Sequence, residues 1–379
     1  MHCSANFVEV THARKCKNYF AFCSLNRNFA GMKSYRLSAE WEPQELIQLT
    51  WPHSNTDWAP MLDEINATYI QMAREIAKRE PLLIVVPHEN DLPKEIRGLK
   101  NVRYFFCPTN DTWARDHAFI TLLPIQPGKQ ETEKGKPLLL DFQFNGWGRK
   151  FAHDKDNCIN SKLWHMTDWK ETTLYENHND FVLEGGSIEC DGKGSVFTTT
   201  PCLLAPNRNQ PLTKAEIEEQ LKSRLRVERI VWLDYGQLVG DDTDGHIDTI
   251  VRLAPNDTIL YVGCDEPDDE QYADFQALEA QLRTLRTTDG RPYRLLRLPM
   301  PAPIYDDGDR LPATYANFLV LNGAVLVPTY AQPATDEEAM RMIGSAFPER
   351  DIVAIDSRSI IRQHGSVHCC TMQYPKRNP

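Results

Sequence analysis

"VLEGGSIECDGKGSVFTTTPCLL" occupies residues 182–204. "VLEGGSIEC" and "GSVFTTTPCLL" read as two strands. Their β-branched residues favour extended backbone, and the Asp-Gly-Lys-Gly turn between them marks a hairpin. A helix follows at "TKAEIEEQLKSRL" (213–225), with Thr213 as N-cap and Glu216 at the capping-box position. "RIVWLDY" (229–235) closes the unit as a buried strand. The order is strand, strand, helix, strand.

The same order recurs along the chain. "HIDTIVRLA" (246–254), "TILYVGC" (258–264), the helix 268–285 and "YRLLRLPM" (293–300) form a second copy. "ANFLVLN" (316–322), "AVLVPTY" (324–330), the helix 335–347 and "DIVAID" (351–356) form a third. "HAFITLLP" (117–124) and "PLLLDFQF" (137–144) begin a fourth. At the N-terminal end, "ELIQLTWP" (45–52), a helix over 58–79 and "PLLIVVP" (81–87) make a unit that lacks its first strand. One strand is left over at the other end, "SVHCCTMQYP" (366–375). Supplying the missing strand from the C-terminus closes a ring. The expected fold is therefore α/β, a five-bladed pseudosymmetric propeller closed by the C-terminal strand.

Composition bounds the function. The 379 residues suffice for a large core, and 41% hydrophobic with 25% charged residues is ordinary for a globular chain. The net charge of -11 disfavours nucleic acid and anionic membrane as partners and favours cationic small molecules. No apolar run reaches bilayer-spanning length. The ten cysteines contain no C-x-x-C pair, so a structural zinc site lacks support, and a reduced, cytoplasmic setting is expected. Residues 1–31 carry three cysteines and a basic bias, and read as a disordered or spurious extension. From Met32 the sequence reads as one catalytic domain, 32–379. The oligomeric state is not legible; a homodimer is one expectation.

The unusual residues fall at one place in each unit, where its first strand begins. "NDTWARDHAF" brings Trp113, Arg115 and Asp116; "LEGG" brings Glu184. "GDDTDGHID" brings His246 and Asp248, "YANF" brings Asn317, and "GSVHCC" brings Cys369. Singly, each has an ordinary reading: a local salt bridge for Asp116, a surface charge for Glu184, a turn histidine, a capping asparagine, a core cysteine. Equivalent positions in a ring converge on its axis, and that joint placement favours a site. A thiolate is a nucleophile, a histidine a general acid and base, and carboxylates without a basic partner call for a cation. A guanidinium pairs with two carboxylates through its fork of donors. The expected reaction is attack of the Cys369 thiolate on a guanidinium carbon. On a strand, Cys370 and His368 face away from Cys369 and read as packing. A cysteine protease leaves the extra carboxylates without a task. A metal site from His364, His368 and Cys369 needs helical spacing, which this segment lacks. A non-enzymatic scaffold needs no nucleophile.

At these residues the sequence resembles the agmatine deiminase and bacterial-type peptidylarginine deiminase family, within the guanidino-group-modifying superfamily. The resemblance runs from about Trp41 to Pro375 and rests on "WPHSNTDW", "WARD", "FNGWG", "LEGGSIECDGKGSVFTTTPCLLAPNRN", "GDDTDGHID", "YANFLVLNGAVLVP" and "HGSVHCCTMQ". It implies a five-bladed ring and a hydrolysis that needs no metal or organic cofactor. It implies Cys369 as nucleophile, His246 as general acid then base, and Glu184 as a catalytic group orienting substrate or His246. Asp116 and Asp248 grip the guanidinium, Trp113 packs on the substrate stem, and Asn317 is a further substrate-binding residue. A thiouronium on Cys369 is hydrolysed to a ureido product. Free agmatine, yielding N-carbamoylputrescine for putrescine biosynthesis, is the first expectation; peptidyl-arginine, giving citrulline, is the alternative, and an amidinotransferase a more remote one. The sequence departs from agmatine deiminases at "RDHAF", at Asp244, and at "QHGS" (363–366), where they carry a Gly-Gly-Gly-Asn run.

Overall fold

The computed structural model describes residues 34–125 and 135–377. The expectations for residues 1–31 and for most of the polar loop 126–137 lie outside the described residues. Five sheets of three or four strands and one short hairpin carry the chain. The unit read from 182–235 is present: Ile188–Cys190 runs antiparallel to Ser195–Thr199, which runs parallel to Arg229–Leu233. Helix Lys214–Leu225 crosses between the last two, and Thr213 and Glu216 form the expected capping box.

The other four sheets repeat that order. Val251–Ala254, Thr258–Val262 and Arg294–Leu298 form one, with helix Tyr272–Thr284. Leu319–Leu321, Ala324–Thr329 and Asp351–Asp356 form another, with helix Pro333–Ala346. Ile120–Pro124, Leu138–Gln143 and Leu174–Val182 form the next, joined by several short helices instead of one long one. In the last, the C-terminal strand Thr371–Pro375 pairs antiparallel with Gln44–Thr50, which runs parallel to Leu82–Val86. Two edge strands extend the pattern unforeseen, Tyr35–Leu37 and Val102–Phe106.

The central strand Leu82–Val86, parallel to both its neighbours, is apolar and buried along its whole length, as burial on both faces demands. Helix Leu62–Ala77 buries Ile65, Tyr69, Met72 and Ile76 on one face, each worth about 1.5–3 kcal/mol on leaving water.

The first strand of every unit begins later than expected: "HAFITLLP" enters its strand at Ile120 and "ANFLVLN" at Leu319. "VLEGGSIEC" is interrupted by a 3-10 turn, Gly185–Ser187. "HIDTIVRLA" opens with another, Ile247–Thr249. In "SVHCCTMQYP" residues 367–370 are a turn, and the strand starts at Thr371. Polar side chains in these turns bond backbone groups, so the chain cannot enter its ladder until the turn is complete.

The lead-in turns are linked pairwise. Arg115 N donates to Cys369 O (3.1 Å), and Gly186 N to Asp116 Oδ1 (3.0 Å). Thr199 Oγ1, at the end of strand Ser195–Thr199 and not in a lead-in turn, donates to Gly245 O (2.5 Å), Asn317 Nδ2 donates to Asp248 O (3.3 Å), and His368 N to Asn317 O (3.1 Å). The chain of contacts leaves the C-terminal segment and returns to it.

Candidate active site

The turn before the C-terminal strand presents Cys369. Asn317 governs it: Oδ1 accepts from His368 N (3.0 Å) and Cys369 N (3.2 Å), while Nδ2 donates to Cys369 Sγ (3.1 Å) and Asp248 O. Every polar atom of that amide is engaged. Asn317 thus holds the thiol and its backbone through both ends of its amide.

Asp248 lies 3.8 Å from Cys369 Sγ through Oδ2. The same Oδ2 accepts from His368 Nδ1 at 2.6 Å, and His368 Nε2 reaches Glu40 Oε2 at 2.8 Å. His368 thus turns toward the site, against the expectation drawn from strand alternation. In a turn neighbouring side chains do not alternate, so the argument for opposite faces fails here. Cys370 does pack away, in the core cluster that includes Tyr69.

Behind His368 stands a buried charge cluster. Arg252 donates from Nε to Glu189 Oε1 (2.5 Å) and from Nη2 to Glu40 Oε2 (2.6 Å), and its guanidinium lies 4.5 Å from the Phe318 ring centroid. Burial opposes ionisation of Asp248, but His368, His246 and Arg252 hold its carboxyl below the usual range.

Asp116 is held by donors: Trp147 Nε1 to Oδ2 (2.9 Å) and Gly186 N to Oδ1 (3.0 Å). Burial, with Asp248 and Glu184 adding repulsion, pushes its carboxyl up to about 6 although His246 pulls the other way. His246 Nδ1 lies 3.7 Å from Asp116 Oδ1, beyond hydrogen-bond reach. Burial disfavours the imidazolium, yet the Asp116 carboxylate, the Cys202 sulfur and Glu184 hold its pKa well above the ordinary value. Its anionic neighbours thus favour the imidazolium against its burial. Burial, Asp248 and Asp116 push the Cys369 thiol well up.

Gly186 lets these groups meet. A Cβ there would lie 2.6 Å from His246 Nδ1, 2.9 Å from Asp116 Oδ1 and 3.1 Å from Asp248 Oδ2.

Glu184 is fully buried near His246, but it is not free of a basic partner. Arg208 Nε bonds it at 3.0 Å, and Arg208 Nη1 also reaches Asp244 Oδ2 at 2.5 Å. Arg208 was inside a quoted motif and went unread, as did Trp147. Two groups of possible metal ligands exist, Glu184–Cys202–His246 and Glu40–Glu189–His368. In both, an arginine already supplies the counter-charge to the carboxylates. His364 and His368, set aside from the sequence as a metal site with Cys369, turn to Gly240 O and to the two carboxylates respectively.

A cavity of about 120 Å3 opens onto Cys369 and Asp116. Its lining includes Trp113, Trp147 and Phe151 but neither lysine nor arginine. Trp113 is fixed by its Nε1 bond to Asp111 (3.0 Å), and Gly365 leaves room for its ring. Three buried polar atoms of these side chains, Asp248 Oδ1 and both ring nitrogens of His246, make no hydrogen bond to nitrogen or oxygen, and the Cys202 sulfur lies beside His246.

A thiol, an imidazole and two carboxylates are thus gathered beside a cavity lined by aromatic rings. The chain belongs to the Porphyromonas-type peptidyl-arginine deiminase family, whose model matches residues 36–375. It is 32% identical to an agmatine deiminase of Pseudomonas aeruginosa, over 90% of this chain and 95% of that one. Among solved structures, a cysteine-to-serine variant of Campylobacter jejuni agmatine deiminase with substrate bound aligns with a TM-score of 0.83 at 36% identity, covering 91% of this chain and 97% of that one. A Porphyromonas gingivalis protein described as a "putative arginine deiminase" aligns at 0.82 and 46% identity, covering 90% and 98%. Among the described residues no helix is long and apolar enough to cross a membrane.

Proposed function

We propose that this protein hydrolyses the guanidinium of agmatine to N-carbamoylputrescine and ammonia. The observation that carries the reading is the set of buried atoms that make no hydrogen bond to nitrogen or oxygen, Asp248 Oδ1 and the His246 nitrogens, in side chains gathered with Cys369 beside a cavity lined by carboxylates and aromatic rings. A guanidinium donates to carboxylates through its planar fork, so Asp116 and Asp248 are its natural partners. The Pseudomonas and Campylobacter relatives, both agmatine deiminases, support agmatine over a peptidyl-arginine.

The steps follow from the charges. In the empty site Asp248 and Asp116 keep the thiol protonated. A bound guanidinium offsets both carboxylates, and the thiol then ionises more readily. The thiolate attacks the guanidinium carbon. The His246 imidazolium protonates the departing nitrogen, ammonia leaves, and an amidino group remains on Cys369 as a thiouronium. Neutral His246 now takes a proton from water. The hydroxide adds to the thiouronium carbon, the C–S bond breaks as the thiolate returns, and the added oxygen gives up its remaining proton to solvent to leave the ureido product. Every step is served by side chains of the site, without metal or organic cofactor. Glu184, fixed by Arg208, orients His246.

The same reading includes a closed five-bladed propeller, supported by the five repeated sheets and by the bonds that join each unit to the next, four of them between lead-in turns and one from the end of strand Ser195–Thr199. It also includes a cytoplasmic protein of one catalytic domain, acting on a small cation. The test is a panel of guanidine compounds assayed for ammonia and ureido product. Turnover of agmatine well above arginine and a peptidyl-arginine supports the reading; turnover of the peptide alone refutes it.

A further inference from the structure

Cys202 is a second buried thiol beside the site, and no step of the hydrolysis calls on it. It is fully buried in the short helix Thr200–Leu203, which follows strand Ser195–Thr199 without a break. The end of that strand is tied to the turn that carries His246, since Thr199 Oγ1 donates to Gly245 O at 2.5 Å. The helix start packs on the same turn: a Cβ on Gly245 would lie 3.9 Å from Pro201 Cβ. This docking brings a Glu184 oxygen, the Cys202 sulfur and a His246 ring nitrogen within 4.8 Å of one another.

Of these three groups Glu184 is committed elsewhere. Arg208 Nε donates to both of its oxygens, at 3.0 and 3.3 Å. His246 is the opposite case: it is fully buried, and neither ring nitrogen makes a hydrogen bond to nitrogen or oxygen. Asp116 Oδ1 stands off at 3.7 Å from Nδ1, and a Cβ on Gly186 would crowd the same nitrogen. On the Glu184 side the Cys202 sulfur is the polar atom left to meet the ring. A thiol donates weakly through S–H and accepts weakly through sulfur. Burial pushes the Cys202 thiol up, against the pull of His246 and Arg208, so sulfur and imidazole each bear on the other's proton. The χ2 torsion of a histidine is broad, and the direction of the ring is set by what touches it.

Building on the deiminase reading, we propose that Cys202 is a positioning residue for this reaction: its sulfur braces the His246 imidazole from the Glu184 side and fixes the direction in which the ring passes protons. Glu184 acts on the ring through charge, Cys202 through contact. Cys202 is not among the residues that line the cavity opening onto Cys369, so it does not meet the substrate. The guanidinium is held by Asp116 and Asp248, and removal of the brace leaves binding in place. A misaimed imidazole slows protonation of the departing nitrogen and activation of water, so kcat carries the loss.

The test measures steady-state turnover of agmatine by the wild-type enzyme, Cys202→Ala, Cys202→Ser and Leu203→Ala, with melting temperatures as the check on folding. Leu203 is the next residue of the same helix, fully buried in the same core cluster, and serves as the purely structural control. Cys202→Ala is expected to lower kcat by about tenfold to a hundredfold and to change KM by less than about twofold. Cys202→Ser keeps a polar hydrogen and is expected to stay within about fivefold of wild type. Leu203→Ala is expected to lower the melting temperature further than Cys202→Ala yet keep kcat within about threefold. If Cys202→Ala does not fold, Cys202→Val, which fills the space without a polar hydrogen, is measured with the same expectation. An unchanged kcat without the thiol, a loss carried by KM, an equal kcat loss in Leu203→Ala, or a serine variant no better than alanine overturns the assignment of Cys202 and leaves the deiminase reading intact. A wild-type enzyme that turns over no guanidine compound overturns the deiminase reading, and this proposal with it.

Discussion

His368 Nδ1 lies 2.6 Å from Asp248 Oδ2, and that same oxygen is 3.8 Å from the Cys369 sulfur. One carboxylate therefore serves both the nucleophile and a buried histidine that reaches on to Glu40.

This pairing separates the two carboxylates that the sequence treats alike. From sequence, asparagine at either position leaves stability intact. In the structure Asp248→Asn breaks a fully buried pair, and a loss of about 3–5 kcal/mol is expected in chemical melts. Asp116 has only neutral donors within hydrogen-bond distance, so Asp116→Asn costs less: the mismatched N–H groups of Trp147 and Gly186 cost about 1–3 kcal/mol, which relief of the buried charge largely offsets at neutral pH. Both variants lose turnover. Equal stability losses would show that His368 contributes nothing through Asp248.

The nucleophile is distinguished by its neighbours. Cys369→Ala is expected to abolish turnover with the melt unchanged, since a methyl cannot attack. Cys370→Ala, deep in the core, is expected to keep activity at a stability cost below that of a larger core truncation, about 1 kcal/mol. Steady-state assays and melts on the pair decide; reversed outcomes would move the nucleophile to Cys370.

Much of the site was legible because its residues recur at the start of each repeated unit: Asp116, Glu184, His246, Asp248, Asn317 and Cys369 all stand in lead-in turns. The fold was legible because strand and helix periods alternate in a fixed order. What failed was local direction. Alternation sent His368 outward, but the strand begins only at Thr371. Long-range ion pairs were also hidden. Arg208 meets Glu184 and Asp244, and Arg252 meets Glu40 and Glu189, across stretches of sequence that no period connects.

The raised Asp116 carboxyl has a pH signature. Its folded value near 6 lies above the unfolded value of 3.8, so the folded state holds the proton more tightly. Ionising it costs stability, and the cost grows as pH rises from about 4 to 6, to roughly 3 kcal/mol. Binding has the opposite sign, because a guanidinium needs the ionised form. Calorimetry of agmatine on Cys369→Ala is expected to show affinity falling as pH drops below about 6. Affinity that is flat from pH 5 to 7 would remove Asp116 from the guanidinium.

Gly186→Ala tests the close approach. The added methyl would meet His246 Nδ1, Asp116 Oδ1 and Asp248 Oδ2 at 2.6, 2.9 and 3.1 Å. These atoms belong to buried side chains and cannot swing away freely. Turnover is expected to fall at least about a hundredfold, because small misplacements of reacting groups are costly. Wild-type kinetics in this variant would mean that the three groups do not meet as described.

The central claim is that Cys369 carries the amidino group of the substrate between two half-reactions. Rapid acid quench of the enzyme turning over agmatine, followed by peptide mass spectrometry, tests it most directly. The account predicts an amidino adduct on the peptide containing Cys369, appearing before steady state and absent from Cys369→Ala. Ureido product formed at full rate by Cys369→Ala, or an adduct confined to another residue, would contradict it.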